Sequence, residues 1–476
     1  FSGKFGGDTD NWIWPRHTGD FSMFRVYASK DNRPAAYSPQ NVPYRPKKHF
    51  SISTKGVKEG DFTMIYGFPG NTQEYILSDA VAYIAERSDP AKIAVRTGRL
   101  DIITKAQESD PALRIHYAAK HASIANAWKK WQGEALGIDR RGTVAAKFDY
   151  ETQFGLWSVG RPEYAGVVMG LRAEYDRIMD AYFAYEITRE TLSTLPAAYT
   201  PEERAEECFA RRKFAEQALW RHAFREYGRC PKVYRTPSYA EGMARYKSPE
   251  AYADALFEAV WEGSDSVAMQ PAVRLREETK RMLDHISWML GTKSLRNLNS
   301  KILNELYTTY IKGLREWDRE RAFYPDANLT LRVAYGSVAG YEYADGEYHK
   351  PQTTLDGIIA KDNPEIYDYD IPQSLRDLYA SKNYGRWGTV IDGRRTVPVC
   401  FLATNHTTGG NSGSPVLNAG GELIGINFDR TWRSTMSDIA FDPAICRNIA
   451  VDIRYVLFVV DRIGGAGYLL KEMTLK

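Results

Sequence analysis

A serine stands between glycines near the end of the sequence, in a stretch that we call the nucleophile loop, Thr407-Thr408-Gly409-Gly410-Asn411-Ser412-Gly413-Ser414-Pro415-Val416. Glycines allow a sharp backbone turn that leaves main-chain N–H groups free to point at an oxyanion. The pattern therefore suits a nucleophilic Ser412, with the amides of Gly410 and Ser412 forming the oxyanion hole. The alternative is an ordinary Gly/Ser hairpin loop without chemistry.

The segment Gly-Asn-Ser-Gly-Ser-Pro-Val resembles the nucleophile loop of chymotrypsin-like serine peptidases, whose catalytic groups are recognised by geometry and role. Such a site needs an aspartate that accepts the imidazole N–H. Asp20 opens a predicted β run that ends at Tyr27, which is where chymotrypsin-like barrels present this aspartate. The alternative for Asp20 is a turn residue after Gly19.

Composition limits the classes of partner. The chain has 476 residues, with 63 basic and 60 acidic side chains, so no strong field favours nucleic acid or an anionic membrane. No apolar run approaches the length of a membrane span. Four scattered cysteines without a CxxC pair neither demand nor exclude a disulfide, and we predict no metal and no cofactor. The cysteines are Cys208, Cys230, Cys400 and Cys446.

The secondary-structure signals change twice along the chain. The β run Phe62–Tyr66 ends at a Gly-Phe-Pro-Gly breaker, and alternation resumes from Leu329 to Tyr335. Between them lie long helical patterns, one of which begins at Ser248 as N-cap with Pro249 next to it. In another, apolar and aromatic residues recur at helical spacing: Leu303, Leu306, Tyr307, Tyr310, Leu314 and Trp317. We predict β domains over residues 1–78 and 323–476, which form one peptidase domain split by an α-helical lid over 79–322.

Motifs along nearly the whole chain resemble the bacterial serine dipeptidyl peptidases known as dipeptidyl peptidases 7 and 11. The resemblance implies a chymotrypsin-like double β-barrel with a large inserted all-α domain. It also implies a secreted enzyme of the periplasm or cell surface, commonly homodimeric, that removes dipeptides from free N-termini without a metal. The motifs are Gly6–Trp12, Trp14–Ser22, Ala125–Lys129, Phe323–Asn328 and Gly409–Val416.

The same resemblance assigns roles to individual residues. It implies Ser412 as nucleophile, Asp20 as triad aspartate and Gly410 as oxyanion-hole amide. Amide oxygens and an aromatic face are suited to a terminal ammonium. The residues implied to hold that ammonium are Asn11, Trp12, Asn126 and Asn427. For Asn126 taken alone, the alternative is a polar residue on a helix surface.

Arg430 distinguishes the branches of this family. It follows the hairpin and strand after Ser412, a position that returns to the wall of the main specificity pocket. The branch that prefers Asp or Glu beside the cut carries Arg there, and the apolar-preferring branch carries Gly. A guanidinium pairs bidentately with a carboxylate, so we predict release of dipeptides with Asp or Glu second. The alternative is a surface arginine.

The sequence departs from the family at the catalytic base. The family's histidine lies upstream of the aspartate, and this chain begins at Phe1 without an initiator Met or a signal peptide, as a truncated chain would. His17 belongs to the family's loop and is not the base, and His406 is a local variation. We therefore predict that residues 1–476 lack the base and hydrolyse little. The eight histidines are His17, His49, His116, His121, His222, His285, His349 and His406.

Two further functions stay open on the sequence alone. One is a non-catalytic peptide-binding relative that keeps the cleft, and the other is a dipeptidyl peptidase with an apolar preference. An ordinary endopeptidase is disfavoured by the amine-binding Asn and Trp residues and by the lid. The predicted partners are peptides with a free N-terminus and a second copy of the chain.

Overall fold

The computed structural model describes residues 5–7, 9–263, 266–291 and 299–476. The first four residues, on which the truncation was argued, and Asp8 of the first motif lie outside the described residues. The chain forms two compact units, one of Phe1–Glu74 with Asp326–Lys476 and one of Tyr75–Pro325. The domain limits predicted at 78 and 323 lie a few residues inside the ends of the second unit.

The first unit is built on β-strands. They are β1 (Tyr27–Ala28), β2 (Val42–Pro43), β3 (Phe62–Gly67), β4 (Arg332–Ser337), β5 (Tyr341–Ala344), β6 (Glu347–His349), β7 (Gln352–Thr354), β8 (Thr389–Ile391), β9 (Arg394–Thr396), β10 (Pro398–Ala403), β11 (Ser414–Leu417), β12 (Leu423–Arg430) and β13 (Asn448–Asp452).

Seven of these strands form one antiparallel sheet in the order β4-β3-β11-β12-β13-β10-β7. The end of β4 is also tied to β10, by a bridge between Val338 and Ala403 and by a bond from Thr404 N to Ser337 O of 2.9 Å. Six strands thus close on one another, which removes exposed edges. The sheet brings β11 and β12, which flank the predicted hairpin after the nucleophile loop, into register.

The interior of this sheet is apolar, and it depends on one glycine. Phe401, Val416 and Ile424 are fully or almost fully buried members of one cluster. A Cβ at Gly425 would lie 2.7 Å from Phe401 Cε1 and 2.8 Å from Val451 O. Only glycine lets the Phe401 ring pack against β12 at this point, which explains why a glycine lies inside the strand.

One strand prediction is wrong. The β run predicted from Asp20 to Tyr27 has no strand before Tyr27, which pairs through β1 with the two residues of β2. Phe24 and Val26 are 88% and 64% exposed. Apolar alternation favours a strand only where a neighbouring strand pairs along its length and a face is buried. In the described residues, the pairing reaches Val26, whose carbonyl accepts the Tyr44 N–H at 2.9 Å, and the side chains before Tyr27 are mostly exposed.

The second unit is helical. The helices are α1 (Ser78–Ala82), α2 (Asp89–Ser109), α3 (Pro111–Arg140), α4 (Thr143–Ser158), α5 (Val167–Glu190), α6 (Pro201–Ala205), α7 (Lys213–Tyr227), α8 (Pro237–Tyr246), α9 (Pro249–Glu262), α10 (Ser266–Leu290) and α11 (Lys301–Trp317), and the first unit adds α12 (Leu355–Lys361), α13 (Gln373–Ser381) and α14 (Ile453–Phe458).

The local helix signals are confirmed. The Ser248 hydroxyl accepts the Ala251 N–H at 3.0 Å, and α9 begins at Pro249 as predicted. Leu303, Tyr310 and Leu314 of α11 are buried at the spacing that defined the helical pattern. In the part of the chain that the structure describes, no helix is both long and apolar enough to cross a membrane. A mainly antiparallel sheet with a large helical insertion is thus confirmed.

Candidate active site

The nucleophile loop is held in a tight turn by its own asparagine. Asn411 Oδ1 accepts the Thr408 N–H at 3.1 Å, and the Asn411 N–H donates to Thr408 O at 3.1 Å. Gly410 has a φ of +107°, and a Cβ there would lie 2.3 Å from Phe68 O. Glycine is required at 410 for both reasons, and the turn leads directly into β11.

Ser412 lies exposed at the tip of this turn. Its Oγ donates a long bond of 3.4 Å to Phe428 O. Among the described residues, no acceptor is bonded to the N–H of Gly410 or of Ser412. Two unpaired amides beside an exposed hydroxyl provide the donors that an oxyanion hole requires.

A β-bulge in β12 places residues around Ser412. Asn427 pairs with Ala450 and Asp429 with Ile449, so Phe428 is the extra residue. Bulges occur next to active sites, where they redirect a side chain or a carbonyl. Here the bulge leaves the Phe428 carbonyl facing Ser412 Oγ.

Asn427 supports the loop from behind. Its Nδ2 donates to Asn411 O at 3.1 Å, and its Oδ1 accepts from Asn448 Nδ2 at 2.9 Å. The main-chain carbonyl of Asn427 also accepts the Gly413 N–H at 2.8 Å. The buried amide therefore positions the nucleophile loop, and its contact with a substrate amine stays a prediction.

The turn at Asn11 and Trp12 is fastened to β12 by a buried carboxylate. Trp12 has a φ of +68°, its N–H donates to Asp429 Oδ2 at 3.1 Å, and its carbonyl accepts from Trp432 N at 2.5 Å. Arg16 Nη1 lies 3.2 Å from the same Oδ2. The structure thus brings Trp12 beside β12 with Asn11 next to it in the turn.

Asp20 follows this fastened segment. Burial raises the pKa of its carboxyl, and the charge of Arg16 opposes that rise, although the residue still reaches solvent. No direct contact joins Asp20 to Ser412 among the described residues. A triad does not require one, because the imidazole stands between aspartate and serine. The triad role of Asp20 stays a prediction.

Arg430 is buried and bound on several sides. Its Nη1 and Nη2 lie 2.6 and 2.7 Å from the two carboxylate oxygens of Asp438. Nη1 also donates to Ser437 Oγ at 2.8 Å and to Thr407 O, in the nucleophile loop, at 3.2 Å. The Trp12 ring centroid is 5.6 Å from the guanidinium carbon. We call these five residues the Arg430 cluster; the surface-arginine alternative is wrong.

His406 borders the Arg430 cluster. Its Nε2 lies 2.9 Å from Ser437 O and 3.6 Å from Glu74 Oε1, and its ring stacks on Phe441 at 4.5 Å. Burial lowers the pKa of His406 most, the hydrogen bond to Ser437 opposes this, and the charge of Arg430 lowers the pKa further. His406 is therefore held as a neutral imidazole beside a cationic side chain.

No histidine of the first unit is within hydrogen-bonding distance of Ser412 Oγ in the described residues. His17 is buried, and a Cβ at Gly357 would lie 1.8 Å from its Nε2, so the ring is packed against α12. The pKa of His17 is lowered to about 4, first by burial and then by the charge of Lys361, against the opposing charge of Asp10. The ring is a packing element, consistent with the loop role predicted for it.

Asn126 belongs to the other unit. It lies exposed on α3, between the buried residues Ile124 and Ala125 and the half-buried Trp128. Its placement on a helix surface is also what the alternative for this residue expects. Its role in holding a substrate amine stays a prediction.

One cluster in the helical unit has the side chains of a metal site. Ligand atoms of His116, Glu206 and Cys208 lie within 4.8 Å of one another. Arg212 Nη1, however, lies 2.7 Å from His116 Nε2 and 3.4 Å from Glu206 Oε2. A guanidinium already occupies the place of a cation. All four cysteines are buried and free.

Sequence reasoning missed two residues of this region, Asp429 and Asp438, and did not predict that His406 borders Arg430. All of these depend on contacts that no local pattern reports. The separation of Arg16 and Asp429 by 413 positions explains why. The one available signal was a pair of opposite charges, Asp429 and Arg430, at the end of an apolar strand, where an ionised residue needs a partner.

The chain belongs to the peptidase S46 family. The family profile matches residues 2–213 and 197–475, in two overlapping segments. This membership agrees with the exposed serine, the free amides beside it and the resemblance found in the motifs.

Curated relatives carry the two names that the motifs suggested. The Asp/Glu-specific dipeptidyl-peptidase of Capnocytophaga gingivalis is 41% identical over 519 residues, which cover 99% of this chain and 71% of the relative. That of Porphyromonas gingivalis is 36% identical at the same coverage. Dipeptidyl-peptidase 7 of Phocaeicola vulgatus is 34% identical, again over 99% of this chain and 71% of the relative.

Solved structures of a relative have a similar fold. The crystal structure of Porphyromonas endodontalis DPP11 superposes with a TM-score of 0.84 at 33% identity, covering 100% of this chain and 74% of that one. Its complex with the dipeptide Arg-Glu gives a TM-score of 0.83 at 33% identity, with 99% and 73% covered.

Proposed function

We propose that this protein is a serine exopeptidase that releases N-terminal dipeptides with Asp or Glu at the second position. The observation that carries the acidic preference is the buried guanidinium of Arg430, hydrogen-bonded to Thr407 of the nucleophile loop. A guanidinium fixed against the nucleophile loop favours a carboxylate next to the cut. The names of the Capnocytophaga and Porphyromonas relatives, and the Arg-Glu complex of the Porphyromonas endodontalis protein, support this assignment.

The chemistry follows from the loop. Ser412 Oγ attacks the carbonyl carbon of the second substrate residue, and the N–H groups of Gly410 and Ser412 stabilise the oxyanion. The peptide bond breaks as the amine leaves with a proton, and water then releases the dipeptide from the acyl-enzyme. The histidine that would take the Ser412 proton and pass it to the leaving amine is the upstream residue that the family resemblance implies, and Asp20 would orient its imidazole. Asn11, Trp12, Asn126 and Asn427 select a free amino terminus.

The remaining parts of the proposal concern architecture and setting. We infer a chymotrypsin-like double barrel with an incomplete first barrel and a helical lid over residues 79–322. We infer a homodimer of the periplasm or cell surface that acts without metal or nucleic acid. The closed run of six strands in the first unit supports the barrel part of this proposal.

Equilibrium binding is the first test, because it does not depend on turnover. We expect Leu-Glu to bind residues 1–476 about 10 to 100 times more tightly than Leu-Leu, since a charge-assisted bond contributes roughly 1.5–3 kcal/mol. N-acetyl-Leu-Glu should bind as weakly as Leu-Leu. Isothermal titration calorimetry measures all three, and equal affinities for Leu-Glu and Leu-Leu would remove the acidic specificity.

A second candidate function is peptide binding without turnover. The favouring observation is that no histidine of the first unit contacts Ser412 Oγ in the described residues. Oxyanion-hole and binding effects alone leave about 10³–10⁴-fold over water. Residues 1–476 should therefore cleave a Leu-Glu reporter slowly. Rapid cleavage that Ser412→Ala abolishes would exclude this candidate and show that the base lies within the chain.

A further inference from the structure

The Arg430 cluster is already neutral before any substrate arrives. Asp438 binds both terminal nitrogens of Arg430, and these side chains are 14% and 6% exposed, respectively. Water would screen the charges of such a pair, but in a buried setting they interact strongly with one another and with any charged group of a bound substrate. An acidic substrate side chain that reaches Arg430 must therefore share the guanidinium with Asp438.

Sharing leaves one negative charge too many. One cation facing two carboxylates has a net charge of −1, and an uncompensated buried charge is strongly unfavourable. Two carboxylates that share a site raise the proton affinity of the group, as in paired acids. The cluster needs one proton from solution, provided that a nearby group can hold it.

His406 is placed to hold that proton. Its Nε2 lies 2.9 Å from the carbonyl of Ser437, the residue whose hydroxyl accepts from Arg430 Nη1 at 2.8 Å. A carbonyl only accepts, so Nε2 carries the hydrogen of the neutral ring and Nδ1 remains as the basic atom. His406 is also joined to the cluster through the chain, since Thr407 binds Arg430.

Most of the charged groups that face His406 are acidic. Glu74 Oε1 lies 3.6 Å from its Nε2, and Asp326 accepts the Glu74 N–H at 2.9 Å. Asp438 also acts on the ring, and Arg430 is the one group among these that opposes protonation. A substrate carboxylate offsets the Arg430 charge, so it removes that opposition and adds to the acidic surroundings.

We propose that His406 takes up one proton when an acidic side chain pairs with Arg430. This proposal rests on the proposed function, because it requires an Asp or Glu side chain at Arg430. It makes the acidic preference dependent on pH, with His406 as a second specificity-determining residue. An apolar side chain brings no charge and should cause no uptake.

The sign of the pH effect follows from the two states. In the free protein the pKa of His406 lies below its ordinary value, so the ring is neutral near pH 7. In the complex the pKa rises, and the proton binds. Affinity for an acidic dipeptide should therefore fall as pH rises through the pKa of the complex, by at most tenfold per pH unit.

Calorimetry detects the proton directly. Leu-Glu binding to residues 1–476, titrated at about pH 6.5 in phosphate and in a buffer with a larger ionisation enthalpy, gives the number of protons taken up. We expect uptake approaching one proton for Leu-Glu and none for Leu-Leu. His406→Gln keeps a donor for the Ser437 carbonyl and cannot titrate, so it should abolish the uptake and flatten the pH dependence of Leu-Glu affinity.

A matched control separates this effect from a general loss of a histidine. His49 is exposed and bonds to Thr474 at 2.9 Å, away from Arg430, so His49→Gln should leave the uptake unchanged. Tight Leu-Glu binding without uptake, or uptake that persists in His406→Gln, would overturn the proposal and leave the acidic specificity intact. Equal binding of Leu-Glu and Leu-Leu would instead refute the proposed function.

Discussion

Two arginine–aspartate pairs meet at consecutive residues of β12, and they differ in what surrounds the acid. Asp429 receives three donors from the protein: the N–H groups of Trp12 and Arg430 at 3.1 and 2.8 Å, and Arg16 Nη1 at 3.2 Å. Asp438 accepts from both terminal nitrogens of Arg430, at 2.6 and 2.7 Å. Asp429 therefore joins separate chain segments, whereas Asp438 offsets the charge of the Arg430 side chain.

The two arginines therefore differ in role: Arg16 stabilises the fold, and Arg430 is proposed to recognise the substrate. Arg16 also donates to Thr18 Oγ1 at 2.8 Å and lies 5.4 Å from the Phe428 ring centroid, so these partners all belong to the fold. Arg430 contacts the Trp12 ring and Thr407 of the nucleophile loop, which is where the proposed function places the substrate. The same kind of ion pair can therefore have two roles. We call Arg16–Asp429 the anchor, because it ties chain segments together, and Arg430–Asp438 the recognition pair, because its arginine is proposed to bind the substrate.

Removing the anchor should have the largest effect. Arg16→Met leaves the buried Asp429 carboxylate without its cation, so we expect the free energy of unfolding to fall by about 3–5 kcal/mol. Chemical denaturation of the variant and the parent measures this difference. A loss below about 1 kcal/mol would mean that the two main-chain donors alone hold Asp429.

The matched control for Arg16 is an exposed pair. Arg33 lies 3.4 Å from Asp31, with side chains 82% and 67% exposed. Exposed pairs contribute about 0–1 kcal/mol, so Arg33→Met should be nearly neutral. Equal losses in the two variants would contradict the distinction between anchor and surface pair.

The second-largest effect should be a loss of stability in acid, caused by His17, which follows Arg16 in the chain. The pKa of His17 is about 4 in the folded protein and about 6.5 when unfolded. The unfolded chain therefore binds the proton more readily below pH 6.5, and stability is lost as pH falls from about 6.5 to 4, by roughly 3 kcal/mol at most. Denaturation at several pH values measures the slope, which His17→Gln should reduce.

His17→Gln also removes packing against Gly357, which lowers stability at every pH. The test therefore compares how steeply the free energy of unfolding changes with pH, and not its absolute value. His49→Gln serves again as control, and its slope should match the parent. A His17→Gln slope identical to the parent's would show that His17 is not the residue that weakens the segment in acid.

Substitutions in the recognition pair should change the selectivity between acidic and apolar dipeptides. Arg430→Gly removes the guanidinium that a substrate carboxylate would meet, so the Leu-Glu to Leu-Leu affinity ratio should fall by about 10²-fold, equivalent to roughly 2.8 kcal/mol. Arg430→Lys should restore part of it, because a point charge lacks the fork. Arg433→Lys changes an arginine that follows β12 and is paired with Glu347, so it should leave the ratio unchanged. An unchanged ratio in Arg430→Gly would make Arg430 a second anchor.

Local physics made much of the fold predictable. The Ser248 cap, the helical pattern of α11 and the glycine breaker after β3 act within a few residues, and each is where the sequence placed it. The strand predicted after Asp20 failed because a strand depends on a distant partner. The boundary between local and distant causes is also the boundary of what the sequence could predict.

The candidate site divides in the same way. Ser412 and Gly410 were found because a nucleophile on a tight turn requires particular residue types at adjacent positions. Arg430 was found through a resemblance, but its partner Asp438 was not, since nothing local says which carboxylate meets a guanidinium. The charge balance that results could be recognised only once the three-dimensional contacts were known.

The bond between Asp429 and position 430 has a consequence for how substrate preference can diversify. The main-chain N–H of Arg430, and not its side chain, donates to Asp429 Oδ1 at 2.8 Å. Every residue except proline supplies that N–H. A substitution at 430 can therefore exchange the side chain proposed to contact the substrate while the bond from the main chain to Asp429 persists, so under the proposed function a new preference can arise from one substitution.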